Sequence, residues 1–202
     1  MLIDLHCHTQ PLSACSSLSA AALIARARRH GLDGICLTEH DRLWPATAVA
    51  RLRAEHGFLV LRGMEVTTEL GHALVFGLDA PPPGMFLAAT LRAAVTRVGG
   101  VMVLAHPARP GQPRLSAAAL STLFDAVEAI NGSDGHTQNG VAATLSGRCA
   151  LPGTGGSDCH APGEIGRAAT RFHVPVRNEA DLVAALRAGR YEAVWLPAAA
   201  AT

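Results

Sequence analysis

With 202 residues, 49% of them apolar, and a formal charge of +1 with ten histidines left neutral, the chain is long enough for one cored domain and too short for two large ones. That balance excludes the global basic field that drives binding to long polyanions, and no apolar run reaches the roughly 18 residues of a membrane span. The N-terminus has no basic stretch leading into an apolar one, and Cys7, Cys15, Cys36, Cys149 and Cys159 form an odd set without repeated spacing, so a soluble, reduced, cytoplasmic protein is expected, with residues 1–197 as its single domain.

In chain order, residues 2–5 read as a strand running into Asp4-Leu5-His6-Cys7-His8-Thr9. Residues 18–30 read as an amphipathic helix: Ser19 caps it, Leu23, Ile24 and Ala27 share one side, Arg26, Arg28 and Arg29 load the last turn, and Gly31 ends it. A strand over 35–37 leads to Thr38-Glu39-His40-Asp41, a helix over 44–56 follows, and a strand over 59–63 leads to Gly63-Met64-Glu65. His72 precedes a short strand over 73–76. A helix over 87–98 closes at Gly99-Gly100, and the most apolar strand, 101–105, runs into His106-Pro107. Beyond it come a helix over 117–124, a strand over 126–130, the polar loop 131–136 and a helix over 137–145. A Gly-rich strand over 151–155 leads to Gly156-Ser157-Asp158-Cys159-His160, and Asn178 caps a helix through Leu186 that Gly189 terminates.

Strands alternating with helices predict a parallel sheet covered by helices, and about seven strands come near the eight of a closed (β/α) barrel, which is favoured over an open sheet. The exit ends of parallel strands converge, so five scattered clusters of imidazoles and carboxylates become one polynuclear metal site. His6 and His8, at i and i+2, point to one face and can chelate one ion, with Leu5 and Cys7 facing away; Asp4 joins the ligand face and could orient an imidazole. Asp158 and His160 repeat the spacing, and Glu65, just past its strand, is placed to bridge two cations. His30 and His56, beside helix-terminating glycines, read as structural, His173 has no cluster, and His136 is a candidate substrate contact. Few aromatics and no basic stripe argue against an extended nucleic-acid track.

The ordered set DLHCHT, TEHD, GME, AHP, NG and GSDCH, spread over residues 1–173, resembles the PHP (polymerase and histidinol phosphatase) family of metal-dependent phosphoesterases. The resemblance implies a distorted (β/α)7 barrel holding two or three Mn, Zn or Fe ions at the C-terminal ends of its strands. It assigns His6, His8, Glu65 and Asp158 to one ion, Glu65 and His106 to a second, and His40 and His160 to a third. His72 is kept as a ligand because short members of the family often carry a Gly-His strand after the Glu. Many members have an Asp or His shortly after the HxH motif; here that stretch reads Gln10-Pro11-Leu12-Ser13-Ala14-Cys15, so a third ion would be bound through Cys15, held weakly, or absent.

The expected activity is hydrolysis of a phosphate ester, whether a small phosphomonoester, a nucleotide or an oligonucleotide end, by a metal-bound hydroxide. His40, Glu65, Asp158 and His160 form the reacting centre, with Asp41 as another group that could assist the leaving oxygen. Arg109 and Arg167, like Arg42, border ligand clusters and could meet phosphate as bidentate donors. Two other readings stand beside it: an amidohydrolase acting on a C–N or C–O bond, and a degenerate metal-binding module that docks to a polymerase or other partner. The chain has no Lys, which removes the carbamylated-Lys form of the first.

Overall fold

The computed structural model describes residues 1–113 and 115–197. Nine strands form one sheet in the order β7-β6-β5-β4-β3-β2-β1-β8-β9: β1 (Leu2–Cys7), β2 (Gly34–His40), β3 (Leu59–Thr68), β4 (Gly71–Phe76), β5 (Val101–Leu104), β6 (Ala126–Asn131), β7 (Gly153–Gly156), β8 (Ala168–Phe172) and β9 (Tyr191–Trp195). Six helices cover it: α1 (Ala20–Arg29), α2 (Ala46–His56), α3 (Ala88–Arg97), α4 (Ala117–Leu123), α5 (His136–Cys149) and α6 (Glu179–Ala188). No described helix is long and apolar enough to cross a membrane.

The sheet curls into a nearly closed barrel because the segment after β7 returns to β1. His8 N donates to Cys159 O at 3.1 Å and Asp158 N donates to His6 O at 2.8 Å, in parallel pairing that sets Cys7 beside Cys159. This closure brings the first and last ligand clusters together although about 150 residues separate them.

The expected all-parallel sheet is corrected at two strands. β4 runs antiparallel to both β3 and β5, and β8 runs antiparallel to β1. β8 and β9 lie beyond the expected seven strands. They form a short antiparallel pair on the edge of the sheet beside β1, and only Tyr191 of β9 is buried, with Glu192 and Trp195 exposed.

Apolar alternation fills the barrel below the ligands. Ile3, Leu5, Cys36, Leu61, Leu74, Phe76, Val101 and Val103 pack into one core that α6 closes with Leu182, Ala185 and Leu186. Outside, Leu23, Ile24 and Ala27 of α1 lie against Ile35, Leu37 and Val60, and Ala88, Leu91 and Val95 of α3 against Val75 and Met102. Local chemistry sets the helix ends: Ser19 Oγ accepts from Ala22 N at 3.2 Å and Asn178 Oδ1 from Asp181 N at 2.8 Å, while Gly189 ends α6 in the left-handed region.

Candidate metal centre

Each ligand cluster reaches the same end of the barrel, by a different local device. In β1 the pairing register with β2 shifts between Asp4 and Cys7, a bulge that breaks strict alternation. Leu5 therefore packs in the interior core and Cys7 in the outer one, so the expectation that these two share a face is corrected. So is the role given to Asp4. Its Oδ1 accepts from the amides of His6 at 3.1 Å and Ser157 at 2.8 Å, joining β1 to the segment after β7 without touching an imidazole. Burial pushes the Asp4 pKa up to about 6 against the pull of those hydrogen bonds.

Glu65 is likewise inside its strand rather than past it, since β3 continues to Thr68 and pairs Glu65 with His40 on one side and Leu74 on the other. β3 extends because β4 folds back along it. The same reversal explains His72: an antiparallel strand presents its first residues where its neighbours present their last ones. His106 and Asp158 turn into the cavity through left-handed backbone, with φ of 28° and 51°, conformations costly for non-glycine residues and clustered at functional sites.

Glu65 is at the centre of these groups. Its Oε1 lies 2.8 Å from His72 Nδ1 and 2.9 Å from His106 Nε2. Its Oε2 faces His40 Nδ1 at 3.0 Å, His8 Nε2 at 3.1 Å and His6 Nε2 at 3.3 Å. Asp158 Oδ1 adds contacts to His6 at 3.4 Å and His8 at 3.3 Å. His6 and His8 present their Nε2 atoms to each other at 3.1 Å. Burial works to raise the Glu65 pKa, but the charge of His6, the hydrogen bond with His106 and the nearby imidazole of His40 outweigh it and hold the carboxyl well below its usual range. Asp158 is lowered in the same way, burial being overcome by His6, His8 and Arg109.

These groups fit a metal. The five contacts among His6, His8, Glu65 and Asp158 span 3.1–3.4 Å, the edge length of a coordination polyhedron whose metal–ligand bonds are about 2.0–2.2 Å. Glu65 Oε2 is buried yet has no hydrogen bond of proper geometry, and a buried carboxylate oxygen is stable when paired or coordinated to a cation. Among the described residues three sets can hold an ion: His6, His8, Glu65 and Asp158; His40, Glu65 and His72; and His8, His40 and His160. Cys15 is exposed and belongs to none of them. In that stretch it is Ser13 whose Oγ contacts His8 Nδ1 at 3.4 Å and accepts from His40 N at 3.3 Å.

Two carboxylates escaped sequence reasoning. Glu128, buried in β6, holds His6 Nδ1 with Oε1 at 2.9 Å, while its Oε2 accepts from His106 N at 2.9 Å and Asn131 Nδ2 at 3.0 Å. It therefore does the orienting expected of Asp4. Its signal was a lone acid inside the apolar run 126–130. Glu39, in β2, accepts from Thr9 N at 2.8 Å, from the Thr9 hydroxyl and from Trp44 Nε1 at 2.7 Å, pinning the chain just after His8. Replacing Glu128 by Gln is expected to weaken metal affinity about 10–100-fold while leaving far-UV circular dichroism unchanged, because it loosens His6 without removing a ligand; a metal-competition titration reads this directly.

Gly156 is where β7 meets His6, and a Cβ there would lie 2.5 Å from His6 Cβ and 2.9 Å from His6 N. Gly156→Ala is expected to destabilise by about 1–3 kcal/mol through overpacking and to displace His6, so denaturant unfolding and metal content should fall together.

The remaining candidates sit on the rim. Arg109 Nε donates to Asp134 at 2.6 Å and its Nη2 to Asp158 Oδ2 at 2.6 Å, so its guanidinium is joined to a ligand carboxylate rather than standing free. His136 is exposed at the start of α5, 6.0 Å from the Trp195 ring. Arg167 is exposed and donates to Gly132 O at 3.4 Å. Neither joins the ligand cluster.

Comparison with known proteins meets this geometry from another direction. The PHP domain model matches residues 4–143, which is most of the chain and carries the strands β2 to β6 with the ligand-bearing end of β1. The chain belongs to the PHP family. A PHP-associated model matches residues 130–191, overlapping the first. No curated protein matches it significantly in sequence. Among solved structures it is similar to PsfC from Pseudomonas syringae PB-5123, at 20% identity and TM-score 0.71 over 96% of this chain and 91% of that one. It is also similar to a two-domain protein from Bacteroides vulgatus containing a predicted PHP-like metal-dependent phosphoesterase, at 21% identity and TM-score 0.75 over 97% of this chain and 65% of that one. Endonuclease Q bound to a 27-mer duplex with an abasic lesion is similar at 16% identity and TM-score 0.66, over 95% of this chain and 58% of that one. These likenesses carry the fold.

Proposed function

We propose that this PHP domain, residues 1–197, hydrolyses a phosphate ester: a small phosphomonoester, a nucleotide or an oligonucleotide end. The observation that carries the reading is the two-sided setting of Glu65, with one oxygen toward His72 and His106 and the other toward His6, His8 and His40. In this reading His6, His8, Glu65 and Asp158 would hold one divalent ion of Mn, Zn or Fe, and Glu65 would hold a second with His106, His72 and His40 standing beside it. When bound, such a pair lowers the pKa of water between the ions and offsets charge on a phosphoryl group. A third ion would rest on His8, His40 and His160, a set without a carboxylate, and is the weakest of the three.

The chain's own residues supply the rest. Glu128 fixes the tautomer and direction of His6. His40 and His160 have side chains 32% and 30% exposed, facing solvent at the mouth, where a proton can be delivered to a leaving oxygen. Burial, then the neighbouring His8, lowers the His160 pKa. Arg109 steadies Asp158, while His136 and Arg167, farther out, meet a larger leaving group. The free thiols accord with a reducing, cytoplasmic setting.

A panel of phosphomonoesters, nucleotides and short oligonucleotides with Mn, Zn or Fe tests the proposal against lactone and amide substrates. Metal-dependent phosphate or nucleotide release is expected. Turnover of the lactone or amide alone would overturn the phosphoesterase reading, and loaded protein inactive on every substrate would favour the accessory module.

A further inference from the structure

A groove of about 1090 Å³ opens beside the centre between the loop after β5 and the length of α5. It starts at Pro107, next to His106, and at Arg109, whose guanidinium reaches Asp158. Leu104, Leu120 and Leu145 contribute apolar wall and Val141, 54% exposed, stands open along it. His136 lines it at the first residue of α5 and Arg148 near the last turn, and no acidic side chain lines it among the described residues. From His136 to Arg148 is twelve residues, or about 18 Å of helix.

Resting on the phosphoesterase reading, we infer that this groove takes the leaving group of an extended substrate that has a flat apolar body and a second anionic group, the scissile phosphate lying at the Glu65 centre and the distal anion at Arg148. The apolar wall rewards a planar or aromatic body in proportion to the area it covers. A groove whose far end carries Arg148 and whose described lining has no acid selects against cationic leaving groups and for a distal phosphate. A small ester such as glycerol phosphate spans only the first part of this path. Length is thus discriminated where the apolar and cationic contacts begin, and the cost of the short ester falls on binding, not on the reacting centre.

The test compares a dinucleotide carrying a terminal phosphate with glycerol phosphate, in the metal-loaded full chain and in Arg148→Glu and Val141→Asp, two exposed positions on α5. The wild-type protein should prefer the dinucleotide at least tenfold in kcat/KM, and Arg148→Glu should erase most of that preference through KM. Val141→Asp should act in the same direction. An unchanged preference in both variants, or no preference in the wild-type chain, overturns the groove assignment. If the wild-type chain hydrolyses neither ester, the proposed function fails separately. Fluorescence anisotropy of the labelled dinucleotide then decides the groove alone: binding weakened at least tenfold by Arg148→Glu supports it, and binding indifferent to that change overturns it.

Discussion

Replacing Glu65 by Gln is expected to lower kcat/KM for phosphate-ester hydrolysis by at least about 10²–10³-fold, the worth of several kcal/mol of metal-centred charge stabilisation. Gln has nearly the same shape, so far-UV circular dichroism should be unchanged. It loses the negative charge and offers a single carbonyl oxygen where two carboxylate oxygens stand. Five imidazoles meet at this carboxylate, and an amide cannot balance two cations among them. Elemental analysis should show the bound metal falling to one ion or fewer per chain. A Glu65→Gln protein that kept both full metal content and activity would remove Glu65 from its central position.

Stripping metal with a chelator is expected to lower the melting temperature by about 8–16 °C at neutral pH. An ion present at about 1,000 times its dissociation constant stabilises the native state by about 4 kcal/mol, and a protein of this size shifts by about 2–4 °C per kcal/mol. The structure gives the reason for so large an effect: Glu65, Asp158, His6 and His8 are buried together, and without a cation their charges are balanced only by one another and by neighbouring side chains such as Glu128 and Arg109. The sign of the pH dependence follows from proton competition. Imidazoles bind metal in the neutral form, and against burial the surrounding carboxylates raise the pKa of His6, His8 and His72 above the ordinary His value, so the chelator-sensitive part of the stability is fully present only above that raised range and fades as pH falls through it. Differential scanning calorimetry with and without chelator at pH 7.5 and pH 5.5 measures both terms. A melting temperature indifferent to chelation at pH 7.5 would mean that no ion stabilises this fold.

Much of the centre was legible because its ligands sit at strand ends in short local patterns. The i, i+2 pair His6/His8 carries its own geometry, whereas Asp158 and His160 fall in different ligand sets because Asp158 stands in a left-handed turn beyond β7; the apolar runs before His40 and His106 announce where each chain segment exits the sheet. What stayed hidden depends on long-range pairing. The direction of β4 is set by its neighbours β3 and β5, so His72 read as the wrong end of a strand until the reversal placed it beside Glu65. The register shift in β1 is a property of two paired strands, and it moved Asp4 off the ligand face. Glu128 looked like an interruption in an apolar strand because its partner, His6, lies 122 residues away. In the stretch where the resemblance left a third ion bound through Cys15, held weakly or absent, it is Ser13 that stands beside His8, its hydroxyl meeting both an imidazole and the His40 amide.

The fold places the least forgiving residues at the closure of the barrel. Gly156 allows His6 to approach, Asp4 ties Ser157 to His6, and Asp158 follows at once in a left-handed turn. Closing the sheet and building the centre are therefore the same event.

Diffraction from crystals grown with Mn, recorded above and below the Mn absorption edge, tests the central claim most directly. Anomalous peaks are expected on both sides of the Glu65 carboxylate, one within about 2.0–2.3 Å of ligand atoms of His6, His8 and Asp158, the other beside His72 and His106. Full Mn occupancy elsewhere on the protein, with Glu65 contacting no ion, would contradict it.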